Sequence, residues 1–486
     1  MIEVVRGSTQ TTIAMLVWVP IVLMLFATLT PRRAVLAAFI IAWLFLPQAS
    51  YRITLLPGLT KMNITALSVL LGIILFDTNS LTRFKPTWYD VPIFIVIFSP
   101  VITSISVGLG PYDGFSWARQ QFISIGLPYL FGRLYFMSPQ GLKDLTIGLF
   151  IGGLLYTPFV LWEHRVSPQL HLQIYGYRQH SFAQQVRPGG GYRPMVFMQH
   201  GLAVGMWMTI TALSAFLLWR TKVLKQFFNV PMIFFVIGLG VMVFITKSTG
   251  AIALYILGLV ALSGLSYFKT RWILIGLCLV PIIYVYQNAS NTLDRQWVVE
   301  QMTHVFSEQR VGSYRYRVEM EDALVRWTHQ RPIFGWARQY MRPGSYGDLE
   351  TDIEGGGVTD SMWVIAFAGR GIVGLTADMA LILLPAIILY RKIPPRFWTL
   401  PSVSSAVVLA LILVLWMWDN LLNSMPNPIY YLAVGGLLGL PKVTFTRRVA
   451  FADQAPGDES RSTVPGQYVL PDQRAQRRNR RNRSTP

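Results

Sequence analysis

The chain has 486 residues, of which 53% are hydrophobic and only 13% are charged, whereas soluble domains carry about 25% charged residues. Lys and Arg number 42 against 23 Asp and Glu, so the formal net charge is +19. This composition excludes most soluble enzymes and long disordered proteins, and the single cysteine excludes a disulfide scaffold. Nucleic-acid binding is a weak explanation of the charge, because the apolar residues come in membrane-length blocks.

Apolar blocks recur along the chain, and a bilayer core of roughly 30 Å is crossed by about 20 helical residues. The clearest blocks are Thr11–Leu29, Val91–Leu109, Leu145–Trp162, Gly201–Trp219, Val230–Thr246, Gly250–Phe268, Trp272–Tyr286, Ser361–Tyr390 and Pro401–Trp418. Shorter blocks are Ala34–Leu46, Asn63–Phe76, Gln121–Met137 and Ile429–Leu440. Buried helices of a large soluble protein would come with amphipathic partners, which are scarce here. We predict an all-α, polytopic integral membrane helical bundle with about 10–13 spans, some of them re-entrant.

Short loops between the blocks are rich in Lys and Arg, which is typical of cytoplasmic loops. Counting crossings puts these loops on one face and leaves two long polar loops, residues 163–200 and 287–360, on the other. We predict a membrane domain over residues 1–446 and a disordered basic cytoplasmic tail over 447–486, where nine Arg stand against four acids. The tail is expected to anchor the topology and to contact anionic lipids.

Several common enzyme motifs are missing. No GxxxxGK[ST], HExxH or CxxC occurs, and no GxGxxG follows a strand pattern, so nothing favours an ATPase, a dehydrogenase or a zinc protease. Cys278 lies inside an apolar block and is expected to be a small buried hydrophobe. We expect neither a cofactor nor a metal.

The first polar loop is cationic and contains the run Arg187-Pro-Gly-Gly-Gly-Tyr-Arg193, which leads to His200 and the next block. Because Gly189–Gly191 can adopt backbone angles closed to other residues, the loop can fold back tightly and bring both arginines to one anion. Guanidinium groups are suited to bidentate phosphate recognition. The alternative is that these arginines merely snorkel to lipid headgroups. We favour the phosphate site for this pair.

The second polar loop holds eight Arg and eleven acidic residues. Helical spacing of its apolar residues predicts an amphipathic helix over Ser313–Gln330, with Ser313 as N-cap. Most of its charges are expected to form a solvated, self-paired face. Arg317, Glu319 and Asp322 are the candidates for chemistry.

An acidic stretch, residues 344–357, follows this helix and has the composition of a mobile lid or a sugar-facing loop. A calcium loop is a weaker interpretation, since the spacing does not match an EF-hand. Asp360 comes next, at the mouth of the membrane region. Its carboxylate could act as general base on a sugar hydroxyl or could cap the following helix, and the two roles are compatible.

Ionisable residues within the spans are few. Arg133 lies near the inner end of its block and is expected to snorkel. Intramembrane ionisable pairs mark ion-coupled transporters, so their near absence argues against an ion-driven pump.

Three stretches together resemble the O-antigen ligase and O-antigen polymerase group of bacterial polytopic membrane glycosyltransferases. They are Arg187–Ala203; the run with Arg317, Ala323-Leu324 and Pro332-Ile-Phe-Gly335; and Thr359-Asp360-Ser361 with Gly369-Arg-Gly371-Ile-Val-Gly374. Lys247-Ser-Thr-Gly-Ala251 is similar to the family's Ser-Arg-Gly turn. The resemblance covers roughly residues 185–390.

The resemblance implies a metal-independent glycosyltransferase of the bacterial inner membrane. It would use a polyprenyl-diphosphate-linked glycan at the periplasmic face, in surface polysaccharide assembly. On this hypothesis Arg187, Arg193 and Arg317 bind the diphosphate. Asp360, or failing that Glu319 or His200, deprotonates the hydroxyl of a glycan or lipid acceptor. The ligases usually have a His where this chain has Asp360, which favours a polymerase-like role.

Two alternatives belong to other classes. A transporter or flippase of lipid-linked or soluble glycans would explain the many spans and the cationic loop, and it predicts polar residues along the membrane midplane. A non-catalytic scaffold of an envelope polysaccharide complex would use the loop to dock a partner, and it predicts that Arg→Lys changes there are silent.

Overall fold

The computed structural model describes residues 2–53, 58–187, 190–292, 295–304, 308–341 and 361–440. The predicted base Asp360, the acidic stretch 344–357 and the tail 447–486 lie outside the described residues.

Helices make up most of the described chain. The first nine are α1 (Thr9–Thr28), α2 (Pro31–Phe45), α3 (Lys61–Phe76), α4 (Val91–Ser106), α5 (Gly110–Gln121), α6 (Leu127–Tyr135), α7 (Pro139–Arg165), α8 (Leu170–Tyr175) and α9 (Gly201–Arg220). The others are α10 (Met232–Ile245), α11 (Thr249–Phe268), α12 (Trp272–Ala289), α13 (Arg295–Thr303), α14 (Glu308–Thr328), α15 (Met362–Lys392), α16 (Pro401–Asp419) and α17 (Pro428–Leu438). Two small antiparallel pairs join β1 (Ile2–Arg6) to β2 (Ser50–Ile53) and β3 (Gln226–Phe227) to β4 (Val230–Pro231).

Eight helices in the described ranges are long and apolar enough to cross a membrane, and α3, α10 and α17 are shorter apolar helices. The predicted all-α polytopic bundle is therefore confirmed, and the chain is a multi-pass membrane protein. The predicted 10–13 spans are reached only if the shorter helices also cross. The most apolar windows of α9 and α16 are 89% and 83% buried, whereas that of α1 is 28% buried. Helices α9 and α16 thus form the centre of the bundle, whereas α1 presents a wide apolar face to lipid.

The two ends of the bundle differ. At one end short basic loops meet: Arg32 of α2 pairs with Asp144 of α7 at 2.7 Å, and the Arg271 guanidinium lies 5.9 Å from the Tyr390 ring centre. The other end, where α7 and α16 finish and α9 and α15 begin, carries the polar loops. We call it the polar-loop end. Which end faces the cytoplasm stays a prediction from the basic loops.

Arg133 of α6 is buried, so the prediction that it snorkels was wrong. Its Nε donates to the Asp90 carboxylate at 3.1 Å, and Asp90 is fully buried. The Tyr129 hydroxyl and the Thr87 N–H also donate to that carboxylate. Sequence spacing did not predict this partner, because the two residues are 43 positions apart. A buried charge needs such a counter-ion and the additional hydrogen bonds.

A second buried ion pair joins Arg370 and Asp378 within α15. The expected near absence of ionisable pairs within the spans was therefore wrong. The Arg370 side chain runs along Gly374. A Cβ added to Gly374 would lie 2.2 Å from the Cβ of Arg370. Gly374 thus leaves the room that lets this guanidinium reach a carboxylate two turns away.

The long helix α15 is broken at Gly371, whose backbone angles are φ 61° and ψ −162°. In an unbroken helix the Ile372 N–H would donate to the Ala368 carbonyl. Here Ile372 donates to the Pro332 carbonyl at 2.7 Å, and Ala368 accepts from the Trp336 N–H at 2.8 Å. Residues 332–336, which we call the strap, therefore pair with backbone groups that the break exposes, as buried backbone groups require.

The strap connects two of the stretches that carry the family resemblance, Pro332–Gly335 and Gly369–Gly374. Gly335 has φ +70°, and a Cβ on it would lie 2.6 Å from the Ala368 carbonyl oxygen. Both glycines are thus needed for backbone-to-backbone contact. The contact fixes the end of α14 against α15.

Helix α14 begins five residues before the predicted Ser313–Gln330 helix, so Ser313 lies inside it and the N-cap prediction was wrong. Glu308 occupies the first turn, where an acid is favourable. The predicted apolar face is confirmed, since Met320, Leu324 and Trp327 are buried.

Replacing Gly371 by Ala is expected to destabilise the protein by about 2 kcal/mol or more, because its backbone region is open essentially to glycine alone. The new Cβ would also lie 2.3 Å from the Ile333 carbonyl group. Thermal unfolding of the purified protein in detergent measures the effect. The matched control is Gly276→Ala in α12, where a Cβ meets nothing within 4 Å; it should equal or slightly exceed the wild-type stability. Equal stability of both variants would contradict the role of the strap.

Candidate functional site

The Arg187–Arg193 run forms a tight hairpin at the polar-loop end. The Arg187 N–H donates to the Gly191 carbonyl at 3.2 Å, and the Arg193 N–H donates to the Gln185 carbonyl at 2.8 Å. Gly190 and Gly191 have φ +90° and +75°, angles that favour glycine. The predicted tight turn is confirmed, and it brings the two arginines to the same region of the loop.

Lys247 supports the tip of this hairpin. Its Nζ donates to the Gly190 carbonyl at 2.5 Å, and its own backbone is left-handed, with φ +50°. The Lys247-Ser-Thr-Gly turn, noticed in the sequence only for its family likeness, therefore adds a cation next to the hairpin.

Arg193 lies across the start of the central helix α9. A Cβ on Gly201 would lie 2.3 Å from Arg193 Cδ, so the first residue of the helix has to be small. His200 is the N-cap, and its Nδ1 accepts the Leu202 N–H at 3.1 Å. Because Nδ1 accepts, the proton of the neutral imidazole is on Nε2.

Several cationic groups surround His200. Burial, followed by the charges of His180, Arg193, Arg187 and Arg317, lowers the pKa of His200 from 6.5 to about 3. The His180 ring packs edge-on against it, with ring centres 4.7 Å apart. All three predicted diphosphate ligands, Arg187, Arg193 and Arg317, thus lie within electrostatic range of one neutral imidazole. We call these arginines, together with His200, the cationic cluster. This convergence unites the hairpin, α9 and α14.

A short irregular segment, Met195–Met198, joins Arg193 to His200 and is fully buried. Its backbone groups are bonded by side chains from elsewhere in the chain. Glu163 Oε2 accepts the N–H groups of Met195 at 2.8 Å and Val196 at 2.7 Å.

The same segment has further side-chain partners on both sides. The Tyr156 hydroxyl accepts the Phe197 N–H at 3.1 Å, and Lys61 Nζ donates to the Phe197 carbonyl at 3.0 Å. Gln179 Nε2 donates to the Val196 carbonyl at 2.9 Å. Local sequence spacing does not predict this role of Glu163, because its partners Met195 and Val196 lie more than thirty residues away.

Val196 has φ +49°. This left-handed conformation is unusual for a β-branched residue and costs about 1–2 kcal/mol. The surrounding hydrogen bonds offset that strain.

Arg317 comes from α14 and contributes the third guanidinium. It lies within electrostatic range of His200 and of Asp419 at the end of α16. One turn along the helix, Glu321 is buried and accepts the Ser361 hydroxyl just before α15. Glu319, predicted as a candidate base, is exposed and is two residues from Arg317, on another face of the helix. The structure therefore does not bring Glu319 into the cluster.

Asp419 is the carboxylate near Arg317, and the sequence analysis assigned it no role. Asn423 Nδ2 donates to its Oδ1 at 2.7 Å. The Met362 N–H at the start of α15 donates to the carbonyls of Asn420 and Asn423, each at 3.2 Å. These bonds fix the end of α16 against the start of α15. In the sequence, Asp419 is marked as a candidate by being an acid at the end of an apolar block.

Within the described ranges, no three His, Cys, Asp or Glu side chains lie close enough together to hold a metal ion. The polar groups of the cluster are instead guanidinium, ammonium and imidazole groups, which are suited to an anion.

Residues 233–377 match the family model described as O-Antigen ligase. This segment is O-antigen ligase-like. The ligase-like segment contains Lys247, Arg317, the strap and the break at Gly371, whereas the Arg187–Arg193 hairpin and His200 precede it. The resemblance seen in the sequence is thus confirmed over just under a third of the chain. A comparison with curated proteins finds no match.

The lowered pKa of His200 makes stability depend on pH. Stability from this group is fully present above the ordinary pKa of 6.5 and is lost as the pH falls toward 3, because the unfolded chain takes up a proton that the folded site excludes. We expect a loss of up to about 1.4 kcal/mol per pH unit below 6.5. His200→Asn keeps an N-cap acceptor and removes this component.

Thermal unfolding at about pH 7.5 and pH 5 measures the difference between the wild type and His200→Asn. His304→Asn, at an exposed histidine, is the matched control and should follow the wild type. An identical pH response of the wild type and His200→Asn would show that His200 is not held neutral.

Proposed function

We propose that this protein is a glycosyltransferase of the bacterial inner membrane, which transfers a glycan from polyprenyl diphosphate to an acceptor hydroxyl at the periplasmic face. The observation that carries the proposal is that Arg187, Arg193 and Arg317 all lie within electrostatic range of the neutral His200. The ligase-like segment supports the same reaction class, since its family is described by O-antigen ligation. The product would be surface polysaccharide, either lengthened or joined to a new acceptor.

The three guanidinium groups would bind the diphosphate. In the transfer step the acceptor oxygen attacks the anomeric carbon, the bond from that carbon to the phosphate oxygen breaks, and the electron pair leaves with the diphosphate. Preorganised arginines stabilise the negative charge that develops there. The Nε2–H of His200 can donate to the same anion. This arrangement supplies the charge neutralisation that a divalent cation provides elsewhere.

The acceptor hydroxyl must lose a proton, and a carboxylate is the chemically suitable group. His200 is a poor base, because its pKa is about 3 and its Nδ1 already accepts a hydrogen bond. Glu319 is exposed. Asp360 remains our proposed base, immediately before Ser361 at the start of α15. Asp419, close to Arg317, is the second candidate.

A transporter or flippase of glycans is a second candidate function. The buried ion pairs Arg133–Asp90 and Arg370–Asp378 favour it, since charges inside a bundle often line a transport path. Each guanidinium, however, is bonded both to its carboxylate and to a backbone carbonyl, of Lys85 or Val96. Such closed pairs are suited to holding helices together, so the transferase is our first choice.

Arg317→Ala is expected to reduce glycan transfer by about 100- to 1,000-fold, as for loss of one transition-state donor. Arg317→Lys should recover only part of this, because an ammonium group cannot make a bidentate contact. The assay uses purified protein in proteoliposomes with a labelled polyprenyl-diphosphate glycan, and scores longer glycan or a new conjugate. The matched control is Arg326→Ala, at an exposed arginine of the same helix, which should transfer normally.

Normal transfer by Arg317→Ala at normal protein level would contradict the proposal. Glycan movement across the bilayer without any new glycosidic bond would favour the transporter. Absence of transfer by the purified wild type, together with normal surface polysaccharide in cells that carry Arg317→Lys, would favour the scaffold.

A further inference from the structure

The segment Met195–Met198 links the Arg187–Arg193 hairpin to the start of α9. It is irregular and fully buried, and through Pro194 and Gln199 it connects two members of the cationic cluster, Arg193 and His200. A rotation within it would move one relative to the other. The geometry of the cluster therefore depends on how this segment is held.

Val196 is the residue of this segment whose backbone is in the left-handed conformation. With φ +49°, it adopts a conformation that a β-branched side chain disfavours. If the hydrogen bonds that hold this segment were lost, the Val196 backbone could return to negative φ. Local strain of this kind persists only where neighbouring groups hold the backbone in the strained conformation.

Glu163 is the group in position to hold Val196. One carboxylate oxygen accepts two successive N–H groups, those of Met195 and Val196, at 2.8 and 2.7 Å. Two successive amides that point at one anion form the concave arrangement that fixes the backbone angles between them. The other oxygen accepts the Leu170 N–H at 3.0 Å, so the carboxylate is itself oriented. Helix α7 supplies a rigid base for it.

We propose that Glu163 is a positioning residue, which holds Val196 in the left-handed conformation and thereby sets Arg193 and His200 at the spacing that binds the diphosphate. Glu163 is fully buried and acts through the backbone, without touching the substrate. The proposal deepens the proposed function and rests on it for the identity of the anion.

The experiment combines Glu163→Gln with two substitutions at Val196. An amide has one acceptor oxygen, so Glu163→Gln cannot satisfy all three N–H groups. Val196→Gly removes the penalty for positive φ, whereas Val196→Ala removes a similar part of the side chain and keeps the penalty. The pair therefore separates backbone conformation from lost packing.

The readout is binding of farnesyl diphosphate, a short polyprenyl diphosphate, to the purified full chain in detergent. We expect Glu163→Gln to weaken binding at least tenfold. The double variant Glu163→Gln/Val196→Gly should regain most of the affinity, and Glu163→Gln/Val196→Ala should not. Glu300→Gln, at an exposed acid of α13, is the matched control and should bind like the wild type.

Wild-type affinity of a folded Glu163→Gln protein would overturn the proposal, and so would equal rescue by Gly and Ala. If Glu163→Gln does not fold, the single Val196 variants decide: Val196→Gly should bind like the wild type and unfold at a higher temperature than Val196→Ala, and the opposite order overturns the proposal. A wild type that binds the probe but transfers no glycan would contradict the proposed function and leave the positioning role standing.

Discussion

A backbone group that is buried in protein cannot turn to water, so a buried break in regular structure needs a protein partner. Two such irregular stretches are linked to the candidate site. The segment Met195–Met198 is bonded by buried side chains, above all Glu163, and the break at Gly371 is paired by the strap. The first places Arg193 and His200, and the second fixes the end of the helix that carries Arg317. The cationic cluster is therefore a consequence of how two irregular stretches satisfy their hydrogen bonds.

The electrostatics of the cluster follow from its composition. Arg187, Arg193 and Arg317 lie within electrostatic range of His200, which burial and their charges keep neutral. The nearby Glu163 is occupied by backbone N–H groups, and Asp419 is within range of Arg317. A low-dielectric site with this excess of guanidinium groups favours an anion with several oxygens, and a diphosphate meets that description. The net charge of the chain does not indicate this, because most of its excess basic residues lie in other loops and the tail.

Sequence reasoning succeeded where the signal was local. The glycines of the Arg187–Arg193 run predicted the hairpin, and helical spacing predicted the apolar face of α14. It failed where partners are far apart in the chain. The Asp90 carboxylate that neutralises Arg133 and the backbone groups that Glu163 binds are tertiary contacts, which no spacing encodes. The strap motif was visible, but its docking on the break at Gly371 depends on backbone angles that two glycines allow and do not dictate.

The most direct test of the account is an electron cryo-microscopy structure of the full chain in lipid nanodiscs with a bound polyprenyl diphosphate. We expect diphosphate density within hydrogen-bond distance, about 3 Å, of the guanidinium groups of Arg187, Arg193 and Arg317. Val196 should still be left-handed against Glu163. Diphosphate bound elsewhere on the bundle, with these three arginines directed at lipid headgroups, would contradict it.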